Sequence, residues 1–374
     1  MKILVDKQFD FCDVLIKPRY SNIASRKDVN ITRKYNFKWS GKTVQGTGIM
    51  NANMGTIGTF KIAKAMLNDG LFTCLHKYHS VNDLLKFYKN LNDDEFNRCF
   101  LSIGLKDNGL EKIEQITNEI GEVIPICIDV PNGYIVQVKE LVKQIRKKYP
   151  DCILMTGNVV TEDIVEDLIL SGADIIKCGI SGGAQCITRK ITGVGRPQLS
   201  TVIECSVAAH NVGGMICSDG GITCAGDIGK AFGGGADFIM IGSLYAGTDE
   251  ADGEIIKKQI FNGEYDKIDV NNIAYKIEPH LEEKKFKQFY GMSSTYAQEK
   301  FGNGKPRYRA SEGRVTLVPY IGSIKDVNEE FLGGLRSTMT YIGAKNLEDI
   351  SKCCTFYLVN RQLNTTYEST TIGK

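Results

Sequence analysis

Apolar runs of strand length alternate with helix-spaced segments from about residue 47 to residue 245. The candidate strands are 47–53, 70–75, 98–104, 123–129, 152–157, 173–178, 214–219 and 236–242. Most carry uninterrupted apolar runs, as in VIPICI (123–128) and FIMIG (238–242), with no alternation of polar and apolar positions. A strand of that kind has both faces covered, which points to a parallel sheet. Between strands the apolar residues recur at helical spacing. Ile62, Ala63, Met66 and Leu67 share one face, as do Ile164, Val165, Leu168 and Ile169. The chain also echoes itself: Gly172-Ala173-Asp174-Ile175-Ile176 leads to Gly179, and Gly235-Ala236-Asp237-Phe238-Ile239 leads to Gly242. Eight strand–helix units predict an α/β protein with a (β/α)8 TIM barrel in preference to an open doubly wound sheet. The open sheet calls for G-x-G-x-x-G after an early strand, and the sequence has none there.

Past residue 245 the regularity lapses. Residues 246–313 read as a mobile flap and insertion after the eighth strand, inside a single catalytic domain spanning 1–374. Within it, 255–285 is charged and polar and reads as a solvated excursion. Small, specific residues return in FYGMSS (289–294) and YRASEG (308–313). A closing helical segment is expected over about 326–355, and the tail from Arg361 on is polar.

Composition narrows the function classes. The chain has 374 residues, 42% hydrophobic and 24% charged, and a net charge of +2 gives no reason to expect nucleic acid or an anionic membrane as partner. The N-terminal stretch carries charge throughout, so no signal peptide is expected, and no run reaches the length of a membrane span. The 12 cysteines are scattered without a C-x-x-C and sit mostly in apolar runs, the usage of reduced thiols in a cytoplasmic protein. The four histidines form no H-E-x-x-H, so a zinc site is not expected.

In a (β/α)8 barrel, chemistry sits where strands end. The richest such place is Lys177 to Gln198, KCGISGGAQCITRKITGVGRPQ. Cys186 lies on a glycine-rich loop, with a hydroxyl at Thr188 and cations at Arg189 and Lys190. A buried apolar cysteine is the ordinary case, but a thiol on such a loop beside positive charge meets the needs of a nucleophile. Lys77 and Asp129 stand at two other strand ends. Asp219-Gly220-Gly221 and Gly242-Ser243 follow the seventh and eighth strands, where backbone N–H groups can cradle a phosphate. A carboxylate at 219 suits a ribose diol, so a nucleotide or sugar phosphate is the implied substrate. Glu312 is a loop carboxylate that could pair with Thr188 in proton transfer.

These residues carry a resemblance. FDFCDVLIKP (9–18), ANM (52–54), HKYHS (76–80), DVPNGY (129–134), GNVVT (157–161), SGADIIK (171–177), C-x-T-R (186–189), TGVGRPQ (192–198), SDGG (218–221), AFGGGADFIMIGS (231–243), FYGMSS, RASEG (309–313) and GGLRST (333–338) run in order along the chain. Together they resemble the IMP dehydrogenase/GMP reductase family, and its reductase branch in particular. The resemblance implies a homotetramer of barrels that uses NADPH to convert GMP to IMP and ammonia. It implies that Cys186 attacks C2 of the purine, that Thr188 and Glu312 handle the proton of the departing ammonia, and that Lys77 and Asp129 stand at the reaction centre. Substrate contacts would come from Met54, Asp219, Gly220, Gly221, Gly242, Ser243, Gly291, Met292, Ser293, Arg309, Ser311 and Gly313. The dinucleotide would be held by Lys77, Asp129, Val130, Pro131, Ile180, Met292, Tyr308 and Arg309, and by Ser25, Arg26, Ser337, Thr338 and Thr340, some of them across a subunit boundary. Ser181, Gly183, Cys186 and Arg189 would bind a monovalent cation (K+).

Three positions depart from the family pattern. Gly55 stands where Asp usually follows ANM, Ser181-Gly182-Gly183-Ala184 replaces Gly-Pro-Gly-Ser, and the 255–285 segment is long. The alternatives are an IMP dehydrogenase lacking its regulatory insert and a catalytically weakened guanine-nucleotide sensor. PNGY, YGMSS and RASEG weigh against the first, and the retained Cys186, Thr188, Lys77 and Glu312 against the second.

Overall fold

The computed structural model describes residues 3–105, 108–270, 274–302 and 310–360. Tyr308, Arg309 and the tail from Arg361 on lie outside the described residues. Eight parallel strands form the centre: β1 (Thr43–Asn51), β2 (Leu71–Leu75), β3 (Cys99–Ile103), β4 (Ile126–Asp129), β5 (Leu154–Val159), β6 (Ile175–Cys178), β7 (Met215–Asp219) and β8 (Phe238–Ile241). Each pairs with the next, and β8 returns to β1 through the register Ile239↔Ile49, Met240↔Met50 and Ile241↔Asn51. The sheet is closed, as the eight-unit pattern predicts. The helices that follow the strands in turn are α1 (Phe60–Asn68), α2 (Val81–Tyr88), α3 (Gly109–Ile120), α4 (Val136–Lys148), α5 (Glu162–Leu170), α6 (Gln198–Asn211), α7 (Ala225–Gly233) and α8 (Ile324–Ile342).

The strands are apolar along their length because alternate residues enter two different cores. Met50, Phe72, Phe100, Met155 and Met240 fill the barrel interior. Their neighbours Ile49, Leu71, Leu101, Leu154 and Ile239 pack outward under the helices. A short strand, residues 33–36, runs antiparallel to the start of β1 across the N-terminal end of the barrel. Its Tyr35 stacks on Phe238 at 4.4 Å and meets Phe72 edge-on at 5.4 Å, while Phe72 meets Phe238 edge-on at 5.0 Å. Each such pair contributes about 0.5–1.5 kcal/mol beyond the area it buries. That end of the barrel is an aromatic plug, and the loops at the opposite end are left for chemistry.

Residues 255–270 and 274–285 form regular structure. β9 (Ile255–Val270) and β10 (Ala274–Tyr290) make a long antiparallel hairpin, and β10 pairs on its other side with β11 (Val315–Pro319). Its first and last stretches show why the sequence lacks a strand pattern there. Lys257, Lys258 and Gln259 are exposed, as are residues 281–285, so no face has a core to cover and apolar alternation has no cause. The hairpin is rooted by Lys287, whose buried ammonium donates to the carbonyls of Thr248 at 2.8 Å and Ala251 at 2.6 Å. The closing segment is shorter than expected. α8 stops before Gly343, helical turns resume over Leu347–Asp349 and Ile350–Cys353, and a strand at Phe356–Leu358 pairs antiparallel with Val14–Ile16. Among the described residues, no helix is long and apolar enough to cross a membrane.

Candidate active site

A cavity of about 870 Å3 opens at the C-terminal ends of the barrel strands. The loops after β1, β2, β4, β6, β7 and β8 line it with Met54, Lys77, Asp129, Val130, Pro131, Ile180, Ser181, Gly183, Cys186, Thr188, Asp219, Gly220, Gly221, Gly242 and Ser243. The hairpin side adds Gly291, Met292, Ser293, Glu312 and Gly313. Ser311 backs this wall, its hydroxyl donating to the carbonyls of Ser293 at 3.3 Å and Gly313 at 3.1 Å.

The thiol is held by sheet-like pairing between distant parts of the chain. The strands β10 and β11 lie side by side, so the segments that continue them bring Gly291 and Arg314 together: Gly291 N–H donates to Arg314 O at 3.0 Å. The Cys186 loop adds itself to this pair. Arg314 N–H donates to Gln185 O at 3.1 Å, Ile187 N–H donates to Glu312 O at 2.9 Å, and Cys186 bridges Gly313. The Arg314 guanidinium caps the loop at Ala184 O, 2.7 Å away, and Gln185 donates to the Thr316 hydroxyl at 2.8 Å. Cys186 and Glu312 are therefore fixed to one another through backbone. Their side chains meet through Thr188: its Oγ1 lies 3.0 Å from Cys186 Sγ and donates to Glu312 Oε2 at 2.9 Å. A hydroxyl has one proton, and here the carboxylate receives it, so the thiol is the donor to Thr188. The chain S–H···O–H···O⁻ can carry a proton from the nucleophile to Glu312 and back.

The departures from the family pattern have local causes or consequences. At Gly55 a Cβ would lie 2.8 Å from both the Phe301 ring and the Tyr290 hydroxyl, so an aspartate has no room. Ser181 occupies the left-handed region (φ +64°), which normally favours glycine, and its hydroxyl donates to Ile180 O at 2.6 Å. The Arg189 guanidinium turns away from the cavity, donating to Ser181 Oγ at 3.0 Å and to Arg196 O at 2.7 Å. Gly221 N–H donates to Gly182 O at 2.8 Å and is thereby committed to holding the two loops together.

The loop carrying Lys77 is set from below. Lys112 donates to the carbonyls of Lys77 and His79, both at 2.8 Å. His76 is buried, stacks on His79 at 3.7 Å, and accepts from Tyr78 N–H at its Nδ1, 3.2 Å away. Burial first, and then the neighbouring His79, Lys112 and Lys300, push the His76 pKa down to about 3. The unfolded chain therefore takes up this proton first as pH falls. The stability is fully present above about 6.5 and is lost between there and about 3, at up to about 1.4 kcal/mol per pH unit. The unfolding free energy of His76→Asn, measured in urea from pH 7 to pH 4.5, is expected to fall less steeply than that of the unaltered protein. An equal slope would assign the acid sensitivity to other groups.

Not every expected residue reaches the cavity. Ser25 caps the short turn Arg26–Asp28, which packs on α8. Ser337, Thr338 and Thr340 lie on α8 itself, each hydroxyl bonded to the carbonyl four residues back. These residues form one neighbourhood apart from the cavity lining.

The sequence matches the family described as "IMP dehydrogenase / GMP reductase domain" over residues 8–268 and 278–370. The chain belongs to this family. The break in the match, 269–277, takes in the end of β9 and the start of β10. Proteins named GMP reductase are similar along nearly the whole chain. The one from Vibrio parahaemolyticus is 43% identical over 367 residues, 98% of this chain and 99% of its own. The one from Caenorhabditis elegans is 43% identical over 362 residues, 97% of this chain and 95% of its own.

Other residues at this family member's site gave no assignable role from sequence. Arg314 and Gln185 brace the thiol loop, but their partners are more than a hundred residues away. Asn158 donates to Asp219 Oδ2 at 2.8 Å. Lys177 sits buried between Asp129 and Asp219. It did leave a signal: a single charge within the apolar strand IIKC has to find a counter-charge.

Proposed function

We propose that this protein catalyses the NADPH-dependent reductive deamination of GMP to IMP and ammonia. The observation that carries this reading is the continuous Cys186–Thr188–Glu312 hydrogen-bonded relay inside the cavity. The similarity to proteins named GMP reductase supports it. Cys186 Sγ bonds to C2 of the purine while its proton passes through Thr188 to Glu312. The relay then returns a proton to the exocyclic nitrogen, the C2–N bond breaks, and ammonia leaves with the purine held on sulfur as a thioimidate. NADPH, when bound, supplies the hydride that C2 needs before the C–S bond breaks and IMP departs. Forming the covalent bond divides one difficult substitution into easier steps. Asp219 accepts from the ribose hydroxyls, and the Gly242-Ser243 turn faces the phosphate.

The residues present fit a nicotinamide. Leu105, Val130, Pro131 and Ile180 give an apolar wall, Tyr78 stacks on Phe301 at 4.3 Å, and Lys77 and Asp129 stand beside them. Ser25, Arg26, Ser337, Thr338 and Thr340 lie apart from their own chain's cavity, and we assign them to the dinucleotide of a neighbouring subunit in a homotetramer. The donor chemistry also fits a monovalent cation. The turn from Ser181 to Cys186 carries backbone carbonyls, of which Gly183 O accepts from Cys186 N–H at 2.9 Å, Arg189 braces the turn at Ser181, and the buried Gln198 Oε1 beside it has no hydrogen-bond partner among the described residues. Twelve free thiols support a cytoplasmic location.

The test is purified protein with GMP and NADPH, following absorbance of the reduced cofactor and release of ammonia. GMP-dependent oxidation of NADPH is expected. Reduction of NAD with IMP, and no turnover of GMP, would assign the dehydrogenase reaction.

A further inference from the structure

Lys177 brings a charge into the barrel and has no part in the chemistry described so far. Its side chain is 2% exposed, and its Nζ lies 2.6 Å from Asp129 Oδ1 and 2.9 Å from Asp219 Oδ2. The two carboxylates end different strands, β4 and β7, with β5 and β6 between them. The register explains how one lysine reaches both. Asp129 lies beside Gly157 of β5, and Gly157 beside Lys177 of β6. A Cβ at position 157 would come 2.3 Å from Lys177 O and 2.7 Å from Lys177 Cβ, so only glycine leaves the lysine stem its path towards β4. Asn158 secures Asp219 from β5 at the same carboxylate oxygen that Lys177 binds.

We propose that Lys177 is a positioning residue for both ligands at once: its ammonium ties Asp219, at the ribose of the nucleotide, to Asp129, at the nicotinamide. The assignment of the two ligands rests on the proposed function. A hydride transfer tolerates little error in the approach of donor to acceptor, and a shared anchor fixes that approach. The groups facing Asp129 are Lys177 from β6, Lys77 from the loop after β2, Asn53 from the loop after β1, and Cys127 on β4, with Asp219 across the shared lysine. Burial pushes the Asp129 carboxyl up, but Lys177, Lys77 and Asn53 together outweigh burial and hold it below its ordinary value. Without Lys177, burial dominates and Asp129 takes up a proton at higher pH.

The experiment uses Lys177→Met and Lys177→Arg in the full-length protein, with folding checked by circular dichroism. kcat and KM for GMP and NADPH are measured against pH, and Asp129 is titrated by carbon-13 NMR. Lys177→Met is expected to lose about 10²-fold in kcat/KM for both ligands. The loss should shrink as pH rises, the Asp129 titration should move up, and Lys177→Arg should recover part of the activity. A folded Lys177→Met within about threefold of the unaltered enzyme, with the same pH profile and Asp129 titration, would overturn the proposal. If Lys177→Met does not fold, Lys177→Met with Asp219→Asn removes one charge of each sign. An Asp129 that still titrates as in the unaltered protein is then the overturning result. Absence of GMP-dependent turnover in the unaltered protein would refute the functional reading alone, because the NMR titration still decides whether Lys177 governs Asp129.

Discussion

Replacing Cys186 with alanine is expected to abolish GMP-dependent oxidation of NADPH, by about 10⁴-fold or more, while GMP still binds. The thiol is the strongest nucleophile of the relay, and without it the proton path through Thr188 and Glu312 has no attack to serve. Affinity has other sources. Asp219 is held by Asn158 and Lys177, and the Gly242-Ser243 turn follows a different strand. The loop itself should keep its place, because its bonds to Glu312, Arg314 and Thr316 run through Gln185, Ile187 and the backbone. Isothermal calorimetry with GMP and stopped-flow assay of the variant check both halves. Activity within tenfold of the unaltered enzyme would exclude a covalent route through this sulfur.

Thr188→Ala and Glu312→Gln are expected to lower kcat by about 10²–10⁴-fold each, with the loss concentrated in release of the amine. The alanine breaks the path between Sγ and the carboxylate at its midpoint, where the two hydrogen bonds of 3.0 and 2.9 Å meet. The glutamine keeps the shape of residue 312 and removes its capacity to hold a proton. An analogue of GMP with a leaving group at C2 that departs without protonation should recover part of the rate in both variants. Equal losses on the two substrates would mean that these side chains only support the loop.

The fold was readable because each strand satisfies two cores at once, which leaves unbroken apolar runs such as FIMIG. The hairpin was not readable as strand, since a ribbon with water on its faces imposes no hydrophobic period. The thiol loop and its carboxylate could be picked out by residue type and by the matched motifs. What holds them together could not. The pairing of Cys186 with Gly313 and of Gln185 with Arg314 joins segments more than a hundred residues apart, and local pattern is blind to such pairing. Lys177 illustrates the middle case. Its charge announced a buried counter-ion, but two partners on two strands follow only from the register that Gly157 permits.

The ring-on-ring packing of Tyr35, Phe72 and Phe238 makes the barrel a cul-de-sac. Traffic through such a chamber has one doorway. Both reactants of the proposed reaction would therefore reach their places, and leave them, from the loop side alone.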